Sequence, residues 1–65
     1  MLGSIYTEMA RNAWATIPGN AYEPEYDSNN NPVKITFYQG ATAVFIQNIT
    51  YDANGNPTRV ECVNP

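Results

Sequence analysis

The chain has no histidine and a single cysteine, Cys62, in 65 residues. An internal disulfide is excluded, and so is a zinc set built from thiols and imidazoles. The commonest general base is missing. Cys62 has no nearby imidazole to hold it as a thiolate, and on a β-strand it reads as a small packing residue. Charge is equally scarce. Only 14% of the residues are charged and the formal net charge is −3, against about 25% charged in ordinary soluble domains. The three cations, Arg11, Lys34 and Arg59, are scattered and form no basic stripe. Nucleic-acid binding by phosphate neutralisation is therefore not expected. No apolar run approaches the roughly 20 residues of a membrane-spanning helix. The longest, Ala43–Ile46, is strand-sized, so no membrane partner is expected. The N-terminus lacks a basic stretch followed by an apolar one, which points to synthesis in the cytoplasm without a signal peptide. Asn48-Ile49-Thr50 fits a glycosylation acceptor pattern, but it falls inside a predicted strand and reads as coincidence.

At this length the chain is one domain at most. A domain of such size buries only roughly 60% of the surface that its unfolded chain exposes. Small chains supplement a thin core with disulfides, metals or association, and the first two lack the residues here. What the chain has instead of charge is neutral polarity, with nine asparagines and five tyrosines. Such a surface suits contact with other protein, because ionised groups are costly to bury and Tyr is favoured at interface centres.

One stretch occurs almost twice. Tyr26–Lys34 reads YDSNNNPVK and Tyr51–Arg59 reads YDANGNPTR. Tyr, Asp, Asn, Asn and Pro recur at matched offsets, and the closing residue is basic in both. Asp and Asn make local turns with their own backbone, and Asn and Gly accept positive φ. Gly55 stands where the first copy has Asn30. The predicted turn-formers are Asp27, Asn29, Asn30 and Asn31 in the first copy, and Asp52, Asn54, Gly55 and Asn56 in the second. Pro32 and Pro57 then set an extended entry to the next strand, although Pro cannot donate a ladder hydrogen bond. Each copy is expected at the tip of a β-hairpin.

The flanking segments have strand patterning. Val33–Gln39 alternates, with Val33, Ile35 and Phe37 on one face and Lys34, Thr36 and Tyr38 on the other. Gln39–Thr42 is a short Gly-containing turn. Ala43–Tyr51 is the longest strand, with Val44, Ile46, Asn48 and Thr50 opposed to Phe45, Gln47, Ile49 and Tyr51. Thr58–Val63 closes the chain, with Val60 and Cys62 opposed to Arg59, Glu61 and Val63. Ala21–Tyr26 is a weaker strand, which Pro24 confines to an edge or to a non-strand arm. Each face of the long strand carries large apolar residues, so either the N-terminal segment or another chain covers the second face. The fold class expected is mainly β, a three- to four-stranded antiparallel meander built from two similar hairpins. Residues 20–65 form this unit and residues 1–19 a helical segment or arm.

In that arm Ser4 is placed to cap a helix, and Leu2, Ile5, Met9 and Ala13 fall near helical spacing, with Tyr6 and Trp14 at the margins. Pro18-Gly19 ends it. A helix of about ten residues is marginal alone, so it packs on its own sheet or docks on a neighbouring subunit. The interface candidates are Leu2, Ile5, Tyr6, Met9, Trp14, Tyr38 and Phe45. Trp14 is the anchor in that reading, or else it closes the chain's own core. Tyr26 and Tyr51, placed alike before their turns, are expected to pack as cross-strand partners.

Chemistry-bearing constellations are few. Both turns match the D-x-N-x-N opening of a calcium loop, but the twelfth positions hold Tyr38 and Val63 in place of the required carboxylate. The six acids form no evident catalytic pair, since Glu23 and Glu25 would share a strand face but lie next to Pro24 on an edge, and there is no Gly-rich phosphate loop. No cofactor, metal or catalytic residue is expected.

Ile49–Val60, ITYDANGNPTRV, resembles one unit of a YD-repeat, with Gly55 in the expected place; shared hairpin geometry accounts for that likeness, since such families form long arrays. The wider stretch Tyr26–Val63 resembles the small β-rich virion proteins of tailed bacteriophages in its Asn- and Gly-rich hairpin style. That resemblance implies a non-enzymatic structural subunit of a phage particle: a tail, neck, fibre-attachment or capsid-decoration component. Its location would be the virion and its partners other virion proteins and copies of itself. The alternative is a small, independently folded binding module for a peptide, glycan or host protein.

Overall fold

The computed structural model describes residues 10–65. Four strands, β1 (Asn20–Tyr26), β2 (Pro32–Gln39), β3 (Thr42–Tyr51) and β4 (Pro57–Val63), form one sheet in the order β1-β2-β3-β4. All neighbours are antiparallel. The fold is the meander that alternation and turn spacing predict, with four strands. Residues 10–15 are helical, and β1, the strand carrying Pro24, is an edge strand. Pro24 pairs with Ile35 inside the β1–β2 ladder, where an edge position tolerates its missing N–H.

The turns explain why the strands meet in this register. Asn20 N–H donates to the Ile17 carbonyl at 3.0 Å, with Pro18 and Gly19 between them and Gly19 at φ 88°. Pro followed by a residue at positive φ is the type II signature. This turn separates the helical residues from β1. Gly40-Ala41 joins β2 to β3, with Gln39 opposite Thr42. Gly40 has φ 63° and Ala41 does not have positive φ, which marks a type II′ hairpin. The two turns touch, since Gly40 N–H donates to the Gly19 carbonyl at 2.6 Å.

The core lies on one face. Ile35, Phe37 and Ile49 are buried, with Trp14, Tyr22, Val44, Phe45 and Tyr51 packed around them. The pairs Tyr22–Phe37, Phe37–Phe45 and Ile49–Val60 run across the strands, so this face is built by strand alternation. Val44 joins it because the β2–β3 register shifts between Phe37 and Tyr38. Phe37 and Phe45 stack at 4.5 Å, and the Trp14 ring stands edge-on to both, at 5.9 and 5.4 Å. The Trp14 indole N–H donates to the Ala21 carbonyl at 2.9 Å and the Tyr38 carbonyl at 3.2 Å. Residues 10–15 thus cover the β1–β3 part of the core face of their own sheet. Arg11 is buried beside them, its guanidinium 5.8 Å from the Tyr22 ring centre. The segment that precedes Ala10, with the interface candidates Leu2, Ile5, Tyr6 and Met9, lies outside the described residues.

Candidate interaction surface

The repeat builds two turns with the same hydrogen bonds. In the first, Asp27 Oδ1 accepts from the N–H groups of Asn29 at 2.9 Å and Asn31 at 3.0 Å. In the second, Asp52 Oδ1 accepts from Asn54 and Asn56, both at 2.9 Å. The backbone repeats as well. Asp27 N–H donates to the Asn31 carbonyl and Asp52 N–H to the Asn56 carbonyl, each at 2.9 Å; Asn30 and Gly55 donate back to their aspartates at 3.1 Å. Asn30 and Gly55 are the residues at positive φ, 62° and 80°. Even the strand irregularities match. Tyr26 pairs with Pro32 and Tyr51 with Pro57, each beside a register shift. The matched Asp, Asn and Pro offsets produce the same local structure, because all of these bonds are local to nine residues.

In this geometry Oδ1 of each aspartate is already occupied. One carboxylate oxygen holds two backbone N–H groups, which is the turn-forming role of Asp. No group of three or more metal-ligating side chains occurs among the described residues.

An antiparallel meander sends both of these turns to one end of the sheet, roughly 10 Å apart at two strand spacings. The Tyr51 hydroxyl ties them, donating to the Pro32 carbonyl at 2.6 Å. The exposed residues at this end include Ser28, Asn29, Asn30, Asp52, Ala53, Asn54 and Asn56, an amide-rich rim that carries the Asp52 carboxylate. The two tyrosines of the repeat do not behave alike. Tyr26 is 57% exposed, whereas Tyr51 packs against the core. They are not cross-strand partners of one another. Tyr26 lies on the outermost strand, where no further strand flanks it among the described residues; Tyr51 lies between β2 and β4.

The β4 half of the core face is open. Val60 is 44% exposed and Cys62 is exposed. The expectation that Cys62 packs inside is corrected here. Its alternation is right, since it pairs with Gln47 on the core side, but the Trp14 cover sits over β2 and β3 and leaves the β4 column bare. Gln47 Oε1 is buried with no hydrogen-bond partner among the described residues, a feature that alternation does not reveal.

On the reverse face the register sets Glu23, Thr36, Ile46 and Val63 in one row, and Glu25, Lys34, Asn48 and Glu61 in the next. Thr36, Tyr38, Ile46 and Val63 are half-buried, and among the described residues no second layer lies over them. Lys34 lies 3.8 Å from Glu25, and Arg59 pairs with Glu61 along β4. Of the described interface candidates, Tyr38 is on this reverse face, whereas Trp14 and Phe45 pack on the core face. No pocket opens among the described residues.

No family model, curated protein or solved structure matches the chain. The likenesses to YD-repeat units and to phage virion proteins therefore rest on the hairpin residues alone.

Proposed function

We propose that the chain is a non-enzymatic structural subunit that works by assembling with other protein, copies of itself included. The observation that carries this reading is the single-layered sheet. Its buried hydrophobic core is Ile35, Phe37 and Ile49, while the β4 half of one face and the Thr36–Ile46–Val63 row of the other lack a covering layer among the described residues. Sheets normally bury their apolar faces against a second layer, and association supplies one where a chain is too short to build it. Low charge and abundant Tyr and Asn suit surfaces of that kind. The finer proposal, a tail, neck, fibre-attachment or capsid-decoration component of a phage particle, draws on the hairpin style of Tyr26–Val63.

Sedimentation of the purified chain at micromolar concentration tests the assembly reading. A discrete oligomer is expected. A well-behaved monomer would overturn it in favour of the binding-module reading, which the packing of Trp14 on its own sheet supports. The particle reading is tested by recovering the chain, in several copies per particle, from purified virions.

A further inference from the structure

The sheet has two edges, and they are not treated alike. β1 carries Pro24 at its centre and acidic residues at Glu23 and Glu25. A proline and like charges are standard means of blunting a strand edge against further pairing. β4 has its only proline at its first residue, Pro57. Its register shift spans Arg59–Pro57, so the bulged residue is Thr58, and Arg59–Val63 runs in regular register against β3. Among the described residues nothing pairs with its outer side. Val60, 44% exposed, is the second residue of this stretch.

The charge order along β4 selects a partner. Arg59 and Glu61 flank Val60, lie on the same face of the strand and are both exposed. A second β4 running antiparallel, with Val60 opposite Val60 of the partner subunit, sets Arg59 opposite the partner's Glu61 and Glu61 opposite the partner's Arg59. Four charges of alternating sign then form a square across the junction. Shifting the register by two residues either way sets Glu61 against the partner's Glu61, or Arg59 against the partner's Arg59. Like charges directly opposite one another destabilise a strand pair, and opposite charges support it. A two-fold junction requires a self-complementary surface, and Arg-Val-Glu is the shortest such pattern. Pairing β4 with β1 of another copy meets Pro24 and two acids instead.

We propose that two copies of this chain join edge to edge through β4, antiparallel, with Val60 opposite Val60 of the partner subunit. The result is a continuous eight-stranded sheet whose outer strands are the two blunted β1 edges, so growth stops at the dimer. This deepens the assembly reading and rests on it.

The test uses the full chain in four forms: wild type, Arg59→Glu, Glu61→Arg, and the double swap carrying both changes. Circular dichroism reports folding and sedimentation equilibrium reports association. Each single change places like charges across the junction and is expected to weaken self-association on the order of tenfold or more. Mixing the two single variants in equal amounts pairs an acidic edge with a basic one and is expected to restore association to near the wild-type level. The double swap is expected to associate like the wild type. On the wild type alone, raising sodium chloride should weaken the dimer several-fold, because exposed pairs are screened; this readout stands even if a variant misfolds. A wild-type oligomer indifferent to both single changes and to salt would overturn the β4 junction while leaving the assembly reading intact. A mixture no tighter than its components would likewise overturn it. A wild-type monomer would overturn both.

Discussion

At the scale of single residues, the two copies of the repeat form an internal control. Their turns share every backbone bond, yet the tyrosines before them differ in use. Removing the Tyr51 hydroxyl deletes the bond to the Pro32 carbonyl. Tyr51→Phe is expected to lower stability by about 1 kcal/mol, the net worth of a typical hydrogen bond. Tyr26→Phe, at an exposed site, is expected to change it by less than about 0.5 kcal/mol. Parallel urea titrations check the pair, and equal effects would contradict the asymmetry. Gly55 and Asn30 form a second contrast. A Cβ at Gly55 meets no atom within 4 Å, and its φ is 80°. The cost of Gly55→Ala is then conformational alone, about 1–2 kcal/mol, whereas Asn30→Gly relieves a non-glycine residue from positive φ and should leave stability unchanged or slightly raised. Thermal melts of the two variants moving in the same downward direction would refute this.

At the scale of elements, the covering of the sheet depends on Trp14. Its ring closes the Phe37–Phe45 stack, and its N–H joins the Ala21 and Tyr38 carbonyls. One side chain thereby ties the helical residues to three strands. Trp14→Ala is expected to cost about 3–5 kcal/mol, as large aromatic deletions from cores do, and so to abolish a cooperative melt in so small a domain. Near-ultraviolet circular dichroism during heating checks this, and retention of a sharp wild-type transition would show that the sheet stands without its cover. The strands themselves were legible from alternation and turn chemistry. Val33–Gln39, Ala43–Tyr51, Thr58–Val63 and Ala21–Tyr26 each differ by one residue at the N-terminal end from the observed strands, because Pro32, Thr42, Pro57 and Asn20 enter the ladders. Edge placement of β1 was legible too, from Pro24.

At the scale of the whole molecule, stability and association are linked. When the unpaired β4 edge is satisfied by a second copy, the folded state is favoured by mass action. The melting temperature is then expected to rise with chain concentration, by several degrees per tenfold increase for a domain of this size. A monomer has a melting temperature independent of concentration, so differential scanning fluorimetry over two decades of concentration separates the cases. The surfaces that bear on function were less legible than the fold. Cys62 alternates like a core residue, and only the position of the Trp14 cover leaves it exposed. Gln47 alternates the same way, and only packing decides that its carboxamide oxygen is buried.

By itself the sequence determined what is local. Asp-x-Asn-x-Asn turns, positive-φ positions at Asn30 and Gly55, extended strand entries at Pro32 and Pro57, and the apolar alternation of β2 and β3 follow from interactions within a few residues. Those interactions do not change when the surroundings do, which is why two similar stretches built the same hairpin end. The tertiary structure decided what depends on neighbours far along the chain. It placed Trp14 over Phe37 and Phe45 rather than in solvent, made Tyr51 an interior tie and Tyr26 a surface residue, and left Val60 and Cys62 bare on the outermost strand. Burial is a property of everything packed around a residue, so similar local sequence met different environments at the edge and the centre of one sheet.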